Sequence, residues 1–246
     1  MRVHMIMQGK GGVGKTLAST LLAQYFTEKN KKIVCFDTDP VNTSFAGYRS
    51  LNVKVLKLME NEEIKSRNFD NLIEDIANSD ADEIIVDNGA SSFVPLSLYL
   101  IDNDIPAVLA DMNIEICLHS IIAGSQALLD CINGFNALIK NFTKNGKPDN
   151  LSFYVWLNTF QGAIEIENKN FYEMKCFKNN QDSIKAVFEL PELKKDTFGA
   201  DFTEILKNKQ TFKEGYGDMT KPIMVRQRLK NLEKKMFGIL EESGLC

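Results

Sequence analysis

The sequence of 246 residues predicts an α/β fold in which a doubly wound, mostly parallel sheet carries helices on both faces. Three observations support this prediction. Short apolar runs that suit buried strands alternate with helical patterns along the chain. Several of these runs end directly in acidic or amide residues. A glycine-rich loop follows the first run and precedes the first helical pattern. The length predicts a single domain over residues 1–246.

The apolar pattern also predicts the individual elements. Short runs of apolar and β-branched residues predict strands. These runs lie at 3–7, 32–36, 83–86, 107–110, 151–157 and 186–190. Longer stretches with apolar residues on one face predict helices. These stretches lie at 16–26, 70–79, 93–101, 116–143 with an interruption near Gly134, and, as a C-terminal amphipathic helix, around 223–240. Residues 191–217 follow neither pattern.

The loop after the first predicted strand has the spacing of a phosphate loop, Gly-x-x-x-x-Gly-Lys-Thr. The backbone N–H groups of such a loop, together with the start of the next helix, bind phosphate oxygens. Lys15 is predicted to reach the β- and γ-phosphates of a nucleotide, and the Thr16 hydroxyl to ligate Mg²⁺. The predicted nucleotide-binding residues of this segment are Gly9, Gly11, Gly12, Val13, Gly14, Lys15, Thr16 and Leu17.

A second lysine, Lys10, stands near the start of the loop, although a phosphate loop needs only Lys15 for its own nucleotide. Residues 10–16, Lys-Gly-Gly-Val-Gly-Lys-Thr, resemble the deviant Walker A motif of the ParA/MinD ATPase superfamily. The resemblance implies a P-loop ATPase that binds ATP and Mg²⁺ and forms a homodimer around the nucleotides. It also implies a catalytic role for Lys10, which would supply positive charge to the phosphates of the facing subunit.

Carboxylates follow two predicted strands at the edge where open parallel sheets bind ligands. Asp37 and Asp39 follow the strand at 32–36, and Asp87 follows the strand at 83–86. Carboxylates placed there can hold Mg²⁺ or position an attacking water. By resemblance to the superfamily, Asp39 orients or activates the water and belongs to the metal site, and Asp87 holds Mg²⁺ through a water. Asp37 is expected to support the metal or the loop.

Asn158 follows the predicted strand at 151–157. An amide has both a donor and an acceptor, which match the edge of adenine. The superfamily has an asparagine after this strand that recognises adenine, so the resemblance implies this role for Asn158. The superfamily also has a loop that closes over the base in the region of residues 191–217. This places residues 189–192 beside the expected base.

Composition narrows the function classes. A net charge of −4 argues against a uniformly basic nucleic-acid binder, and no apolar stretch approaches the ~20 residues of a membrane-spanning helix. The first seven residues lead directly into the first predicted strand, which leaves no room for a signal peptide. We therefore expect a cytoplasmic protein. The five cysteines form no Cys-x-x-Cys pair and are expected to be free, mostly buried thiols.

Two alternative functions share the same loop. The nitrogenase iron protein holds an iron–sulfur cluster with two cysteines per chain, one of which follows the Walker B region. Residues 87–92, directly after the third predicted strand, contain no cysteine, and Cys117 and Cys131 lie in a predicted helical region where they resemble core residues. Dethiobiotin synthetase instead uses the loop to act on a small metabolite. Such an enzyme needs a second pocket for the acceptor, and we find no motif for one.

The predicted C-terminal helix carries a basic stripe, because Arg226, Lys230 and Lys234 repeat every four residues. Such a stripe is typical of the solvated face of a docked helix. It also suits contact with DNA phosphates, an anionic membrane surface or a partner protein. The acidic residues at 241–242 argue against a membrane.

Across most of its length the sequence is similar to one branch of the superfamily, the TraL-like conjugal-transfer proteins. The similarity lies at 3–15, 35–42, 124–130, 156–158 and 226–229. This resemblance implies a nucleotide-switched dimer with slow ATP hydrolysis, stimulated by a partner, that serves plasmid transfer, partition or positioning. The expected partners are a second copy of the chain, a protein of the transfer or partition system, and DNA contacted without sequence preference through the C-terminal helix.

Overall fold

The computed structural model describes residues 1–61 and 63–245, and its centre is a parallel β-sheet. The strands, in chain order, are β1 (Arg2–Ile6), β2 (Ile33–Asp37), β3 (Lys54–Val55), β4 (Met59–Glu60), β5 (Glu63–Ile64), β6 (Glu83–Asp87), β7 (Glu115–Ala123), β8 (Leu151–Asn158), β9 (Glu165–Ile166), β10 (Lys169–Asn170) and β11 (Ile184–Glu189). The helices are α1 (Lys15–Glu28), α2 (Asp70–Ala77), α3 (Phe93–Asp102), α4 (Ile105–Asp111), α5 (Leu128–Thr143), α6 (Lys175–Lys178), α7 (Phe198–Lys207), α8 (Phe212–Gly217) and α9 (Ile223–Glu242).

Seven strands form the central sheet, and each neighbouring pair runs parallel. Their order is β11-β8-β7-β1-β6-β2-β3, while β4 with β5 and β9 with β10 form short antiparallel hairpins. From β1 the chain first builds towards β2 and β3, and later towards β7, β8 and β11. The direction of winding therefore changes at β1, and a ligand crevice is expected at the carboxyl end of this strand.

Helices cover both faces of the sheet, so the predicted fold class is confirmed. Helices α1 and α9 pack together over one face, and α3, α4 and α5 cover the other. Because both faces are covered, the central strands are almost fully buried and mostly apolar. The largest buried side chains are aromatic and include Trp156, Phe36 and Phe153.

Two predicted elements are wrong. Residues 107–110, predicted as a strand, lie in helix α4, and residues 116–123, predicted as the start of a long helix, lie in strand β7. Both segments are short apolar runs, and periodicity alone does not separate a buried strand from a buried helix. Strand β7 pairs with β1 and β8 and is covered on both faces, so it shows no alternation of apolar and polar residues.

Gly134 does not interrupt helix α5, which continues through it. A Cβ atom at this position would lie 2.5 Å from Oε1 of Gln8, so the glycine allows this side chain to pack directly against the helix. Residues 191–217, which follow no clear sequence pattern, contain helices α7 and α8.

Helix α9 lies where the C-terminal amphipathic helix is predicted, and its apolar face is buried. Part of the basic stripe is used in packing. Arg226 donates to the Tyr216 carbonyl at 3.0 Å, and the Lys230 ammonium lies over the ring of the same tyrosine. Lys234 is exposed. Within residues 1–61 and 63–245, no single helix is long and apolar enough to span a membrane; α3 and α4 meet that test only together, bent by 61°.

A buried polar network links four central strands. Nδ1 of His4 lies 2.9 Å from Nε2 of His119, and Nε2 of His4 lies 3.0 Å from a Glu83 carboxylate oxygen. Arg2 pairs with the same carboxylate, and the Trp156 indole donates to Nδ1 of His119 at 3.0 Å. The indole is a donor only, so His119 accepts at Nδ1 and donates from Nε2. His4 then accepts at Nδ1 and donates to Glu83.

Burial and the nearby Arg2 guanidinium hold the pKa of His119 well below its ordinary value. Unfolding exposes this histidine and lets it take a proton near pH 6.5. The contribution of His119 to stability is therefore complete above pH 6.5 and is lost as the pH falls further.

We expect the free energy of unfolding to fall by about 1.4 kcal/mol for each pH unit below pH 6.5, from His119 alone. Trp156→Phe removes the indole donor and lets His119 accept a proton at Nδ1. The free energy of unfolding of this variant should therefore fall less steeply as the pH falls below 6.5. Chemical denaturation followed by circular dichroism measures both slopes. Tyr154→Phe is the control, since the Tyr154 ring stacks on His119 outside the chain of donors. Equal slopes in wild type and Trp156→Phe would contradict the assignment.

Candidate functional site

The loop between β1 and α1 has a backbone conformation that requires glycine. Gly12 and Gly14 have φ angles of 75° and 103°, in the left-handed region that other residues avoid. A Cβ atom at Gly14 would also lie 2.6 Å from Nδ2 of Asn158. Such a loop, placed before a helix, directs backbone N–H groups towards one point and forms an anion site. The site lies at the carboxyl end of β1, where the strand order predicts a ligand.

Gln8 holds the start of this loop, and the sequence interpretation missed it. Its side chain is buried, and Nε2 donates to the Ile121 carbonyl at 2.9 Å and the Cys131 carbonyl at 3.2 Å. Its Oε1 accepts from the Lys10 N–H at 3.3 Å. The available signal was an amide residue directly after the apolar run of the first strand. Gln8 therefore ties the loop to β7 and α5.

Lys15 places a half-buried positive charge inside the loop. Its ammonium donates to the Lys10 carbonyl at 3.0 Å and forms no ion pair with a carboxylate of the described residues. Burial lowers its pKa, while the charges of Asp87 and Asp39 act in the opposite direction. A cation held in this way favours an anionic ligand. The residues present therefore fit the phosphate chain of a nucleotide.

Asp87 lies at the end of β6 and joins the loop to the predicted metal site. Its two carboxylate oxygens accept from the Thr16 hydroxyl at 2.7 Å and the Ser19 hydroxyl at 2.8 Å. Burial raises the pKa of Asp87 to about 6, against the effect of these hydrogen bonds. The structure thus brings Thr16 and Asp87 together, as expected for a Mg²⁺ site. The sequence interpretation missed Ser19, which lies one helical turn after Thr16.

Asp37 supports the loop that follows β2. Its carboxylate accepts from the Asp39, Phe45 and Ala46 N–H groups at 2.9–3.0 Å. The sequence predicts that Asp37 supports either the metal or the loop, and these contacts support the loop.

Asp39 is half-buried at the mouth of the crevice. Its Oδ1 accepts from the Val41 and Asn42 N–H groups at 2.9 and 3.0 Å. A Cβ atom at Gly89 would lie 2.8 Å from the Asp39 carboxyl carbon, so the segment after β6 packs closely against it. The catalytic and metal-binding roles of Asp39 stay predictions.

Lys10 lies on the outer side of the loop. Its ammonium pairs with Oδ2 of Asp130 on α5 at 2.7 Å, and both side chains are exposed. An exposed ion pair contributes little stability and is screened by salt. A stronger anionic partner can therefore displace Asp130. The catalytic role of Lys10 at a second subunit stays a prediction.

Asn158 contacts the phosphate loop through a backbone carbonyl group of the loop. Its Nδ2 donates to the Val13 carbonyl at 2.8 Å, and its Oδ1 accepts from the Phe160 N–H at 3.2 Å. The amide is buried and bonded at both ends, so its role towards adenine stays a prediction.

A cleft of about 730 Å³ opens beside Asn158. The turn at 159–162 forms one wall, and Glu192, Leu193 and helix α7 form another. A neighbouring cleft includes Glu189 and Glu192. The segment predicted to flank a base therefore borders an open space next to the phosphate loop, large enough for a small ligand.

The cysteines of the described residues are dispersed over the fold. Cys35, Cys117, Cys131 and Cys176 are buried free thiols on four different elements, and Cys246 lies outside the described residues. Among residues 1–61 and 63–245, no group of three or more His, Cys, Asp or Glu side chains could hold a metal ion by itself. A Mg²⁺ ion at Thr16 and Asp87 would thus need oxygen ligands from water and phosphate, as is usual for this ion.

Residues 4–198 match the family model described as CbiA, the CobQ/CobB/MinD/ParA nucleotide binding domain. Two Escherichia coli proteins, each named Protein TraL, are 45% and 44% identical to this chain over 244 residues, which is 99% of this chain and of each relative. The predicted resemblance to the ParA/MinD superfamily and to the TraL-like branch is confirmed.

Solved structures with the same fold include two MinD proteins. The MinD cell division protein of Aquifex aeolicus is 17% identical, with a TM-score of 0.51 over 97% of both chains. The septum site-determining protein MinD of Pyrococcus horikoshii OT3, complexed with Mg-ADP, is 14% identical, with a TM-score of 0.52 over 99% of both chains. At these identities the likeness shows the fold.

Lys15→Ala should weaken ATP binding roughly 10- to 100-fold, because it removes a hydrogen-bonded charge from the phosphate site. Isothermal titration calorimetry with ATP and Mg²⁺ measures the change. Lys10→Ala is the matched control, since it removes the exposed lysine of the same loop and should leave the affinity of the monomer close to that of wild type. Wild-type affinity in Lys15→Ala would contradict the phosphate-loop assignment.

The gain in ATP affinity that Mg²⁺ provides should shrink as the pH falls below about 6, because protons then compete with the ion for the Asp87 carboxylate. Calorimetric titrations with and without Mg²⁺ between about pH 5 and pH 8 measure it. Asp87→Asn should show little Mg²⁺ gain at any pH, while Lys10→Ala should follow wild type. A Mg²⁺ gain in Asp87→Asn that equals the wild-type gain at about pH 8 would contradict this role.

Proposed function

Because the chain belongs to the CobQ/CobB/MinD/ParA family of nucleotide-binding proteins, in the branch that contains the TraL proteins, we propose that it is a slow, partner-stimulated ATPase. It acts as a nucleotide-switched dimer in plasmid conjugal transfer, partition or positioning. ATP closes two copies of the chain, and hydrolysis allows them to separate. The observation that carries this proposal is the half-buried Lys15 ammonium, held within a left-handed glycine loop and without a carboxylate partner among residues 1–61 and 63–245.

Different groups of the chain have different roles around the phosphates. The loop N–H groups and Lys15 bind and orient the phosphate chain. Thr16 and Asp87 hold Mg²⁺, which offsets phosphate charge when it is bound. Asp39 orients the attacking water, since it lies at the mouth of the same crevice against Gly89. Lys10 adds charge across the dimer interface.

Exposed apolar side chains around the loop support a dimer that closes at this surface. Val41 follows Asp39 and is 71% exposed, and Leu129 is next to Asp130 and is 64% exposed. Val94 begins α3 and is 59% exposed. Its neighbour Phe93 lies within 3.0 Å of the Cβ position of Gly9, in the loop itself. Apolar groups grouped around a charged site favour burial against another protein surface.

The C-terminal helix is the proposed contact for partners of the dimer. Its exposed lysines, among them Lys234, suit DNA phosphates or an acidic protein surface. The net charge of −4 limits any DNA contact to this local patch, and we do not propose a membrane contact.

We expect Asp39→Ala to bind ATP and Mg²⁺ but hydrolyse ATP at least tenfold more slowly, and so to accumulate as a dimer. Light scattering with ATP should show a doubling of mass.

Adding Lys10→Ala to the Asp39→Ala variant should leave it monomeric, because two facing triphosphates repel each other without the Lys10 charge. Asp130→Asn releases Lys10 within the chain and should favour the dimer at lower ATP concentration.

Two outcomes would contradict the proposal. Dimers that form normally in Lys10→Ala would make Lys10 a solvated loop residue. Loss of ATP binding in Asp39→Ala would make Asp39 a structural or metal-binding residue. ATP turnover in the absence of any added metabolite separates this function from that of a metabolite-directed enzyme.

A further inference from the structure

The turn that follows β8 is held rigidly between two segments of the site. It consists of the short helical turn Thr159–Gln161 and Gly162, whose φ angle is 126°. The Ser125 hydroxyl, after β7, donates to the Gln161 carbonyl. A Cβ atom at Gly124 would lie 2.2 Å from the Gly162 carbonyl oxygen, so the two segments are in direct backbone contact. The position of Gln161 is therefore fixed by the end of β7.

Two amide side chains at this turn reach the phosphate loop. Nδ2 of Asn158 donates to the Val13 carbonyl, and Nε2 of Gln161 donates to the Gly12 carbonyl. These are consecutive carbonyl groups of the loop. When loop N–H groups point inwards to an anion, the adjacent carbonyl groups point outwards and need donors of their own. The two amides supply those donors.

The opposite side of the same turn borders the cleft of about 730 Å³. Thr159, Phe160, Gln161 and Gly162 all line it. The ring of Phe160 packs against Phe202 of α7, across the cleft wall, at 6.0 Å between centroids. Gln161 therefore touches both the cleft and the phosphate loop.

We infer that Gln161 is a positioning residue that holds the Gly12 carbonyl and keeps the phosphate loop in the shape that receives phosphates. The inference rests on the proposed function, in which this loop binds the phosphates of ATP. A positioning role for Gln161 and a contact between Gln161 and the base predict different results for a ligand without a base. Although Gln161 lines the cleft, loss of its amide weakens the binding of a phosphate chain that carries no base.

Inorganic tripolyphosphate with Mg²⁺ is the probe, compared with ATP by competition against a fluorescent ATP analogue. Gln161→Met keeps the length of the side chain and removes the donor, and Gln161→Ala removes the side chain. Both variants should weaken the binding of tripolyphosphate and of ATP to a similar extent, roughly 2- to 10-fold, as expected for the loss of one hydrogen bond. The melting temperature without ligand should stay close to that of wild type.

Thr159→Val is the matched control. Thr159 lies in the same turn and lines the same cleft, but its hydroxyl donates weakly to the Leu190 carbonyl at 3.4 Å rather than to the loop. Its tripolyphosphate affinity should equal that of wild type. Equal losses in Thr159→Val and Gln161→Met would show a general effect of the turn and overturn the inference.

The comparison also separates the other outcomes. If Gln161→Met lowers the affinity for ATP and leaves the affinity for tripolyphosphate unchanged, Gln161 is a base contact and the inference is wrong. It is equally wrong if neither ligand is affected. If wild type binds neither ATP nor tripolyphosphate, the proposed function itself fails, and that result is visible before any variant is made.

Discussion

Backbone N–H groups that converge on an anion leave the carbonyl groups of the same loop pointing into the protein, where each needs a donor. Three such carbonyl groups find one here. Lys15 donates to Lys10, Gln161 to Gly12 and Asn158 to Val13. The donors come from α1 and from the end of β8. The phosphate loop thus depends on elements on the far side of the sheet centre, and its shape is a property of the whole fold.

The two lysines of this loop show how surroundings separate residues of one type. Lys15 is half-buried, and burial lowers its pKa, so its charge is costly until an anion binds. Lys10 is exposed, and pairing with Asp130 raises its pKa. The first lysine is held in a fixed position for one ligand. The second is free to exchange one carboxylate for another anion, which suits a residue that acts between molecules.

Most of the fold and the centre of the site could be predicted from the sequence. Apolar runs that end in Asp37, Asp87 and Asn158 mark strand ends, and parallel strands bring such ends to one edge of a sheet. The glycine spacing then identifies the loop, because left-handed backbone at fixed positions requires glycine.

The errors and omissions share a physical cause. Strand β7 is covered on both faces, and its apolar run carries no period that distinguishes it from a helix. Gln8, Ser19 and Gln161 were missed because each acts on a group that is distant in sequence. The sequence shows that a polar side chain follows a strand, but the carbonyl or carboxylate that it meets is decided by tertiary packing.

The central place of β1 in the sheet sets the order in which the protein can be completed during synthesis. This strand precedes its neighbours β6 and β7 in the chain, and they pair with it only after Glu83 and Glu115 have been made. Arg2 also donates to the carbonyl of Leu245, at the other end of the chain. Contacts of such long sequence separation form slowly. Strand β1 therefore stays unpaired until β6 and β7 have been made, which is the period in which a chaperone would have the most to protect.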